Sequence, residues 1–201
     1  MTAIPRSGAG RWLPFALLAL GAVPVVAGTL RLSELAGAPP ALPFNPGIAA
    51  SPAPAVIHVA SAIAYLVVGA FHFVPPVRRR WLVWHRRAGW VLLVLGLAVA
   101  LSALWMTQFY PREGGTGILH YLFRLCFGAA MASSLVLGVA AVRRYDFPAH
   151  QAWMIRAYAL AAGAGTQVFT LGLTESSLGA SPLTSGLASS RSQHLHDIQV
   201  A

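Results

Sequence analysis

Histidines near the ends of long apolar stretches are the residues of this chain with the clearest chemical potential. The chain has 201 residues, and seven of them are histidine. His58 and His72 lie fourteen residues apart in one apolar stretch, which places them on one helix face about 21 Å apart. A bis-histidine haem takes one imidazole from each of two facing helices, so this spacing is compatible with two stacked haem sites.

Three further histidines could complete those two sites. His120 begins a stretch at the end where His58 lies, whereas His85 and His150 begin stretches at the end where His72 lies. All five are candidate ligands of haem b, and His85 with His150 is also a candidate metal-binding pair. The competing interpretation is that each imidazole lies among the lipid headgroups, as Trp and Tyr side chains do.

Two arginines, Arg124 and Arg156, lie inside apolar stretches, where a charge is costly, and they are therefore further candidate cofactor-binding residues. Their guanidinium groups either extend to the lipid headgroups or contact a haem propionate, a quinone oxygen or a lipid phosphate. No carboxylate within the membrane would neutralise them, because all the acidic residues lie outside the predicted helices: Glu34, Glu113, Asp146, Glu175 and Asp197.

Five apolar stretches must position these side chains. Hydrophobic residues make up 57% of the chain and charged residues 9%, with a mean hydropathy of +0.65. A bilayer core about 30 Å thick requires about 20 helical residues, and a helix satisfies its own backbone hydrogen bonds in lipid. We predict an all-α integral membrane helical bundle over residues 1–175 and a polar, flexible tail over residues 176–201. The predicted transmembrane helices cover about 12–31, 53–75, 85–110, 118–142 and 148–173.

The arginines indicate how the bundle is oriented. The formal net charge is +9, and an excess of arginine marks the cytoplasmic ends of membrane helices. We therefore expect a multi-pass protein of the bacterial inner membrane with a cytoplasmic N-terminus and a periplasmic C-terminus, and no nucleic-acid partner. The first stretch could instead be a secretory signal. The arginines that define this bias are Arg6, Arg11, Arg78, Arg79, Arg80, Arg86, Arg87, Arg143 and Arg144.

Two short segments resemble a bacterial membrane family known as domain of unknown function 2306. They are His85–Gly89, which follows three arginines, and His150–Leu160, and the resemblance runs from about His58 to Leu173. It implies a multi-pass inner-membrane protein without an established activity. Members usually carry glutamine where this chain has His72, and many end in a further hydrophobic helix. The matching positions are His58, Arg78, His85, Arg86, Gly89, His150, Trp153, Met154 and Arg156.

These features leave three hypotheses about function. The arrangement of histidines is loosely similar to that of bis-histidine di-haem cytochromes b, which implies membrane electron transfer, with a protein or a quinone as the electron partner. The intramembrane arginines favour binding of a lipid or a small anion. A membrane scaffold without a cofactor is the third hypothesis. No phosphate-binding glycine loop and no activated nucleophile is present in the sequence, which argues against nucleotide-driven and hydrolytic chemistry.

Overall fold

The computed structural model describes residues 9–73, 81–111 and 118–177, with side chains over 12–73, 81–111 and 118–163. Within these ranges every regular element is a helix, which confirms the predicted all-α bundle. Five of the helices are long, as predicted. The helices are α1 (Ala9–Leu35), α2 (Pro46–Ala50), α3 (Pro52–His72), α4 (Leu82–Phe109), α5 (Ile118–Arg143) and α6 (Phe147–Ser177).

Four of these helices are long and apolar enough to cross a membrane. The spans have mean hydropathies between 1.9 and 2.2, and they cover Trp12–Leu35, Pro52–His72, Leu82–Phe109 and Ile118–Arg143. Helix α6 has 31 residues and is also long enough. It is not among the four spans found in the described part of the chain. That α6 crosses the bilayer therefore stays a prediction.

Helix α1 extends further than the sequence predicted. It continues through Pro14 and Pro24 and ends at Leu35. Glu34 therefore lies inside a helix, as does the backbone of Glu175 in α6, so the expectation that every acidic residue lies outside the helices was wrong. Glu34 can lie inside the helix because its carboxylate accepts a hydrogen bond from the Arg31 guanidinium at 2.7 Å. Arg31 lies one turn away on the same helix face.

The connection between α1 and α3, expected to be irregular, contains the single turn of α2. Asn45 begins this turn by accepting a hydrogen bond from the Ile48 backbone N–H at 3.0 Å, and proline occupies the first helical position. The Tyr110 hydroxyl, at the end of α4, donates to the Ser51 carbonyl at 2.6 Å. The connection is therefore ordered against the end of α4.

Helix α3 lies at the centre of the bundle. Helices α1 and α4 pack along it, α5 packs on α4, and the Tyr158 hydroxyl of α6 donates to the Leu66 carbonyl of α3 at 2.8 Å. Glycine permits the closest approaches, since a Cβ at Gly96 would lie 2.9 Å from both Leu135 and Tyr65. The core consists of Tyr65, Leu66, Leu92, Val99, Ala100, Met131, Leu135, Ala157, Tyr158 and Ala162.

The long helices alternate in direction, so the bundle has two distinct ends. We call the end where α3 and α5 finish and α4 and α6 begin the arginine end, because Arg86, Arg87, Arg143 and Arg144 lie there. The opposite end holds the start of α3, the end of α4 and the start of α5. All of this belongs to one compact unit that reaches Thr166. The predicted flexible tail lies outside the described residues, apart from the last helical residues up to Ser177.

Candidate functional site

At the arginine end, His72 and His85 stack face to face. Their ring centroids are 4.0 Å apart and their planes differ by 13°. The Trp84 ring lies against His72 at 5.9 Å. Two axial haem ligands must instead point their nitrogens at one iron from opposite sides. The sequence predicts these two histidines at the same end of the bundle, and their rings would have to separate and turn before they could bind a haem between them.

His150, the third histidine at this end, is hydrogen-bonded to α5. Its Nδ1 lies 2.8 Å from the Gly138 carbonyl oxygen, which can only accept, so Nδ1 carries the proton. Asp146 caps the first turn of α6 by accepting from the Ala149 backbone N–H at 3.0 Å. Nowhere in the described part of the chain do three His, Cys, Asp or Glu side chains form a metal-binding group. The expected metal pair His85 and His150 gains no third ligand there.

At the opposite end, His58 bonds to α4 through Nδ1, which lies 3.1 Å from both the Val99 carbonyl and the Ser102 hydroxyl. His58 is six residues inside α3, about 9 Å from its start, whereas His120 is two residues inside α5, about 3 Å from its start. Measured from the starts of their own helices, the two residues therefore differ by about 6 Å along the axis. This offset argues against the predicted haem pair.

Arg124 and Arg156 are both exposed on the surface of the bundle. The Arg156 guanidinium lies over the Trp153 ring, 4.6 Å from its centroid, which is a favourable cation–π geometry. Because Trp153 is nearly one turn closer to the start of α6, Arg156 extends toward the arginine end. This is the snorkelling geometry that the sequence analysis considered for this residue.

A groove of about 590 Å³ lies between α5 and α6. Its wall is mostly apolar, and its one cationic side chain is Arg156. Among the residues whose side chains are described, the one ion pair joins Arg31 to Glu34, and the Asp146 carboxylate accepts a backbone hydrogen bond. No carboxylate of that part of the chain therefore neutralises Arg156. The groove is lined by Phe127, Ala130, Ser133, Ser134, Leu137, Trp153, Arg156, Ala159 and Leu160.

Comparison with known proteins identifies the family of this fold. Residues 55–188 match the family described as "Predicted membrane protein (DUF2306)". The chain belongs to this family. No curated protein and no solved structure matches the chain. The DUF2306 region covers α3 from residue 55 onward and all of α4 to α6, so it contains both groups of histidines, Arg124, Arg156 and the groove.

Two features of the candidate site are not recognisable in the sequence. Ser102, which contacts His58, is one of two hydroxyl residues in α4, and its signal is weak because serine also occurs at helix contacts in membranes. The groove depends on which faces of α5 and α6 approach each other. Sequence periodicity does not specify that pairing, since lipid-facing and protein-facing residues are both apolar.

Proposed function

We propose that this DUF2306 protein binds an anionic amphiphile in the groove between α5 and α6, with the anionic group on Arg156. The observation that carries the proposal is an apolar groove of about 590 Å³ with one cation in its wall. An anionic amphiphile matches this groove, because it has one charged group and one long apolar part. A guanidinium binds carboxylate and phosphate oxygens in a bidentate manner.

The depth of Arg156 supports this polarity. It lies nine residues inside α6, about 13 Å along the axis, and its guanidinium is drawn toward the arginine end by Trp153. Ala159, Leu160 and Phe127 line the groove deeper in the bundle. A headgroup near Arg156 would therefore leave an acyl chain against these apolar side chains. In the low dielectric of the bilayer, the bound anion offsets the cost of the intramembrane charge.

Native mass spectrometry of the detergent-purified protein tests the proposal. Wild type is expected to retain an anionic lipid or fatty acid, and Arg156→Gln is expected to reduce that retention about tenfold, because a charged hydrogen bond is lost. Arg87→Gln is the matched control, since Arg87 is an exposed arginine at the same end but does not line the groove. Equal retention by wild type and Arg156→Gln, or an equal loss in the control, would exclude the groove as a binding site and favour the scaffold hypothesis.

Haem-based electron transfer has less support from the geometry. The stacked rings of His72 and His85 and the different depths of His58 and His120 do not form the facing pairs that haem requires. An absorption spectrum of the purified protein tests whether it binds haem. A Soret band that shifts on dithionite reduction, and that disappears in His72→Gln, would restore the haem hypothesis against the lipid-binding proposal.

We also propose that the arginine end faces the cytoplasm of a bacterial cell, because its exposed arginines follow the distribution expected of cytoplasmic ends. Cysteine labelling tests this orientation in a Cys126→Ala background, which removes the single native cysteine. A membrane-impermeant maleimide should label Phe44→Cys in intact cells and Arg144→Cys only after permeabilisation. The reverse pattern would refute the orientation.

A further inference from the structure

Contacts near the arginine end fix how α5 and α6 are aligned. Nδ1 of His150 donates to the Gly138 carbonyl at 2.8 Å. A Cβ at Gly138 would lie 3.3 Å from Cβ of Trp153 and would overlap Met154. Gly138 is five residues from the end of α5, and His150 and Trp153 are three and six residues from the start of α6. Residues equally far from the arginine end on these two helices therefore lie side by side.

About one turn deeper, the groove has a polar layer to which both helices contribute. Ser134 of α5 is nine residues from the end of its helix, and Arg156 of α6 is nine residues from the start of its own. Both Cα atoms are therefore about 13 Å from the arginine end. Ser133 lies one residue deeper, and all three residues line the groove. Hydroxyl and guanidinium groups donate hydrogen bonds, so this layer offers donors from two helices to one anion.

Below the polar layer, the groove is apolar and has room for one acyl chain. Ala130 and Ala159 line it three residues deeper than Ser133 and Arg156, and their methyl side chains leave the space between the helices open. The groove measures about 590 Å³, the volume of about twenty groups the size of a water molecule at about 30 Å³ each. A methylene group has a similar size. One long acyl chain with its carboxylate fills this space, whereas the two chains and glycerol of a phospholipid exceed it.

The depth of the polar layer also favours a small headgroup. Helix α5 has 26 residues and is therefore about 39 Å long. When it is centred on a hydrocarbon core about 30 Å thick, each end projects by about 4 to 5 Å. The polar layer then lies about 8 to 9 Å below the hydrocarbon surface. A phosphate at that depth would draw its glycerol and ester groups into the hydrocarbon, which is costly, whereas a fatty acid brings only a carboxylate.

We propose that the ligand of the groove is a long-chain fatty acid, whose carboxylate bridges Arg156 of α6 and the hydroxyls of Ser133 and Ser134 on α5. Its acyl chain runs deeper into the bundle between Ala130 and Ala159. This inference rests on the proposed function of the groove. It adds the class of amphiphile and the two serines that complete the anion site.

Native mass spectrometry of the delipidated full-length protein in detergent micelles tests the class of ligand. The probes are palmitic acid, its methyl ester and dipalmitoyl phosphatidylglycerol, at equal mole fractions in the micelle. The acid should bind at least about tenfold more tightly than the ester, because the ester lacks the charge that Arg156 binds, and more tightly than the phospholipid. Tighter binding of the phospholipid, lost in Arg156→Gln, would overturn this inference and leave the proposed function standing. Binding of neither anion would overturn both.

Variants then locate the carboxylate and the chain. Ser133→Ala combined with Ser134→Ala should weaken palmitate binding at least about tenfold and leave binding of the methyl ester nearly unchanged. Ser61→Ala is the matched control, since this serine of α3 does not line the groove. Ala159→Leu fills the groove and should weaken palmitate binding at least about tenfold, whereas Ala129→Leu, at an exposed position outside the groove, should not. Undiminished binding by the serine double variant, or equal losses in the two leucine variants, would overturn the assignment.

Discussion

The contact between Tyr158 and Gly69 holds α6 against α3, and its substitution gives the sharpest test of the packing. The Tyr158 ring lies directly over Gly69, where any Cβ would overlap it. Tyr65 lies on one side, with centroids 5.7 Å apart, and Phe73 on another, at 4.9 Å. The ring is buried between these aromatic neighbours. The hydroxyl also donates to the Leu66 carbonyl at 2.8 Å.

Three substitutions should therefore differ in cost. Tyr158→Phe removes one hydrogen bond and should lower the free energy of unfolding by about 1 kcal/mol. Gly69→Ala forces a methyl group into the ring and should cost about 1 to 3 kcal/mol. Tyr158→Ala removes a buried aromatic side chain and should cost about 3 to 5 kcal/mol. Denaturation of the protein in mixed micelles, followed by helical circular dichroism, measures this order.

A double-mutant cycle separates local overlap from general loss of helix stability. In the Tyr158→Ala background the space above Gly69 is empty, so Gly69→Ala should cost nothing or should stabilise α3 slightly, because alanine is the better helix former. The two variants should therefore be coupled by about 1 kcal/mol or more. Additive costs, or a Gly69→Ala variant as stable as wild type, would refute the packing described for α6.

Three further substitutions test smaller features by the same unfolding measurement. Asp146→Ala removes the cap on the Ala149 N–H and should cost about 1 kcal/mol, whereas Asp146→Asn should cost little. Tyr145 has a left-handed φ of 60°, so Tyr145→Gly should stabilise the protein by up to about 1 kcal/mol, and Tyr145→Ala should not. Burial raises the pKa of the Tyr110 hydroxyl above its usual 10.0. The stability that the neutral hydroxyl contributes is therefore present below pH 10.0 and is lost as pH rises through the raised pKa. Above pH 10.0 the free energy of unfolding of Tyr110→Phe should fall less than that of wild type. An equal fall in both proteins would show that Tyr110 is not the source of the pH dependence.

The sequence predicted the helices well because each must be long, apolar and internally hydrogen-bonded in lipid. Eight of the ten predicted helix ends lie within three residues of the ends in the structure. Helix α1 runs four residues past its predicted end, since the Arg31–Glu34 pair keeps the last turn helical. Gly37, with φ of 101°, then ends it, and the Ala38 N–H bonds to the Ser33 carbonyl at 3.0 Å.

The candidate site was harder to predict. The sequence placed His72 and His85 at one end, and they do meet there, because short connections force neighbouring helix ends together. It could not give the angle between their rings, which depends on rotamers and helix rotation. The pairing of His58 with His120 stays a prediction, and the two residues lie at different distances from the starts of their helices. The groove depends on helix pairing, which apolar periodicity does not specify.

The connection between α1 and α3 limits which helices of the bundle can separate. The Glu34 carboxylate accepts from the Ala41 and Leu42 backbone N–H groups, Arg31 donates to the Pro43 carbonyl, and Ser51 is joined to the end of α4. These hydrogen bonds join helices α1, α3 and α4 on one side of the bundle. Under the proposed function, the lipid tail would therefore enter on the other side of the bundle, at the seam between α5 and α6, where the groove lies.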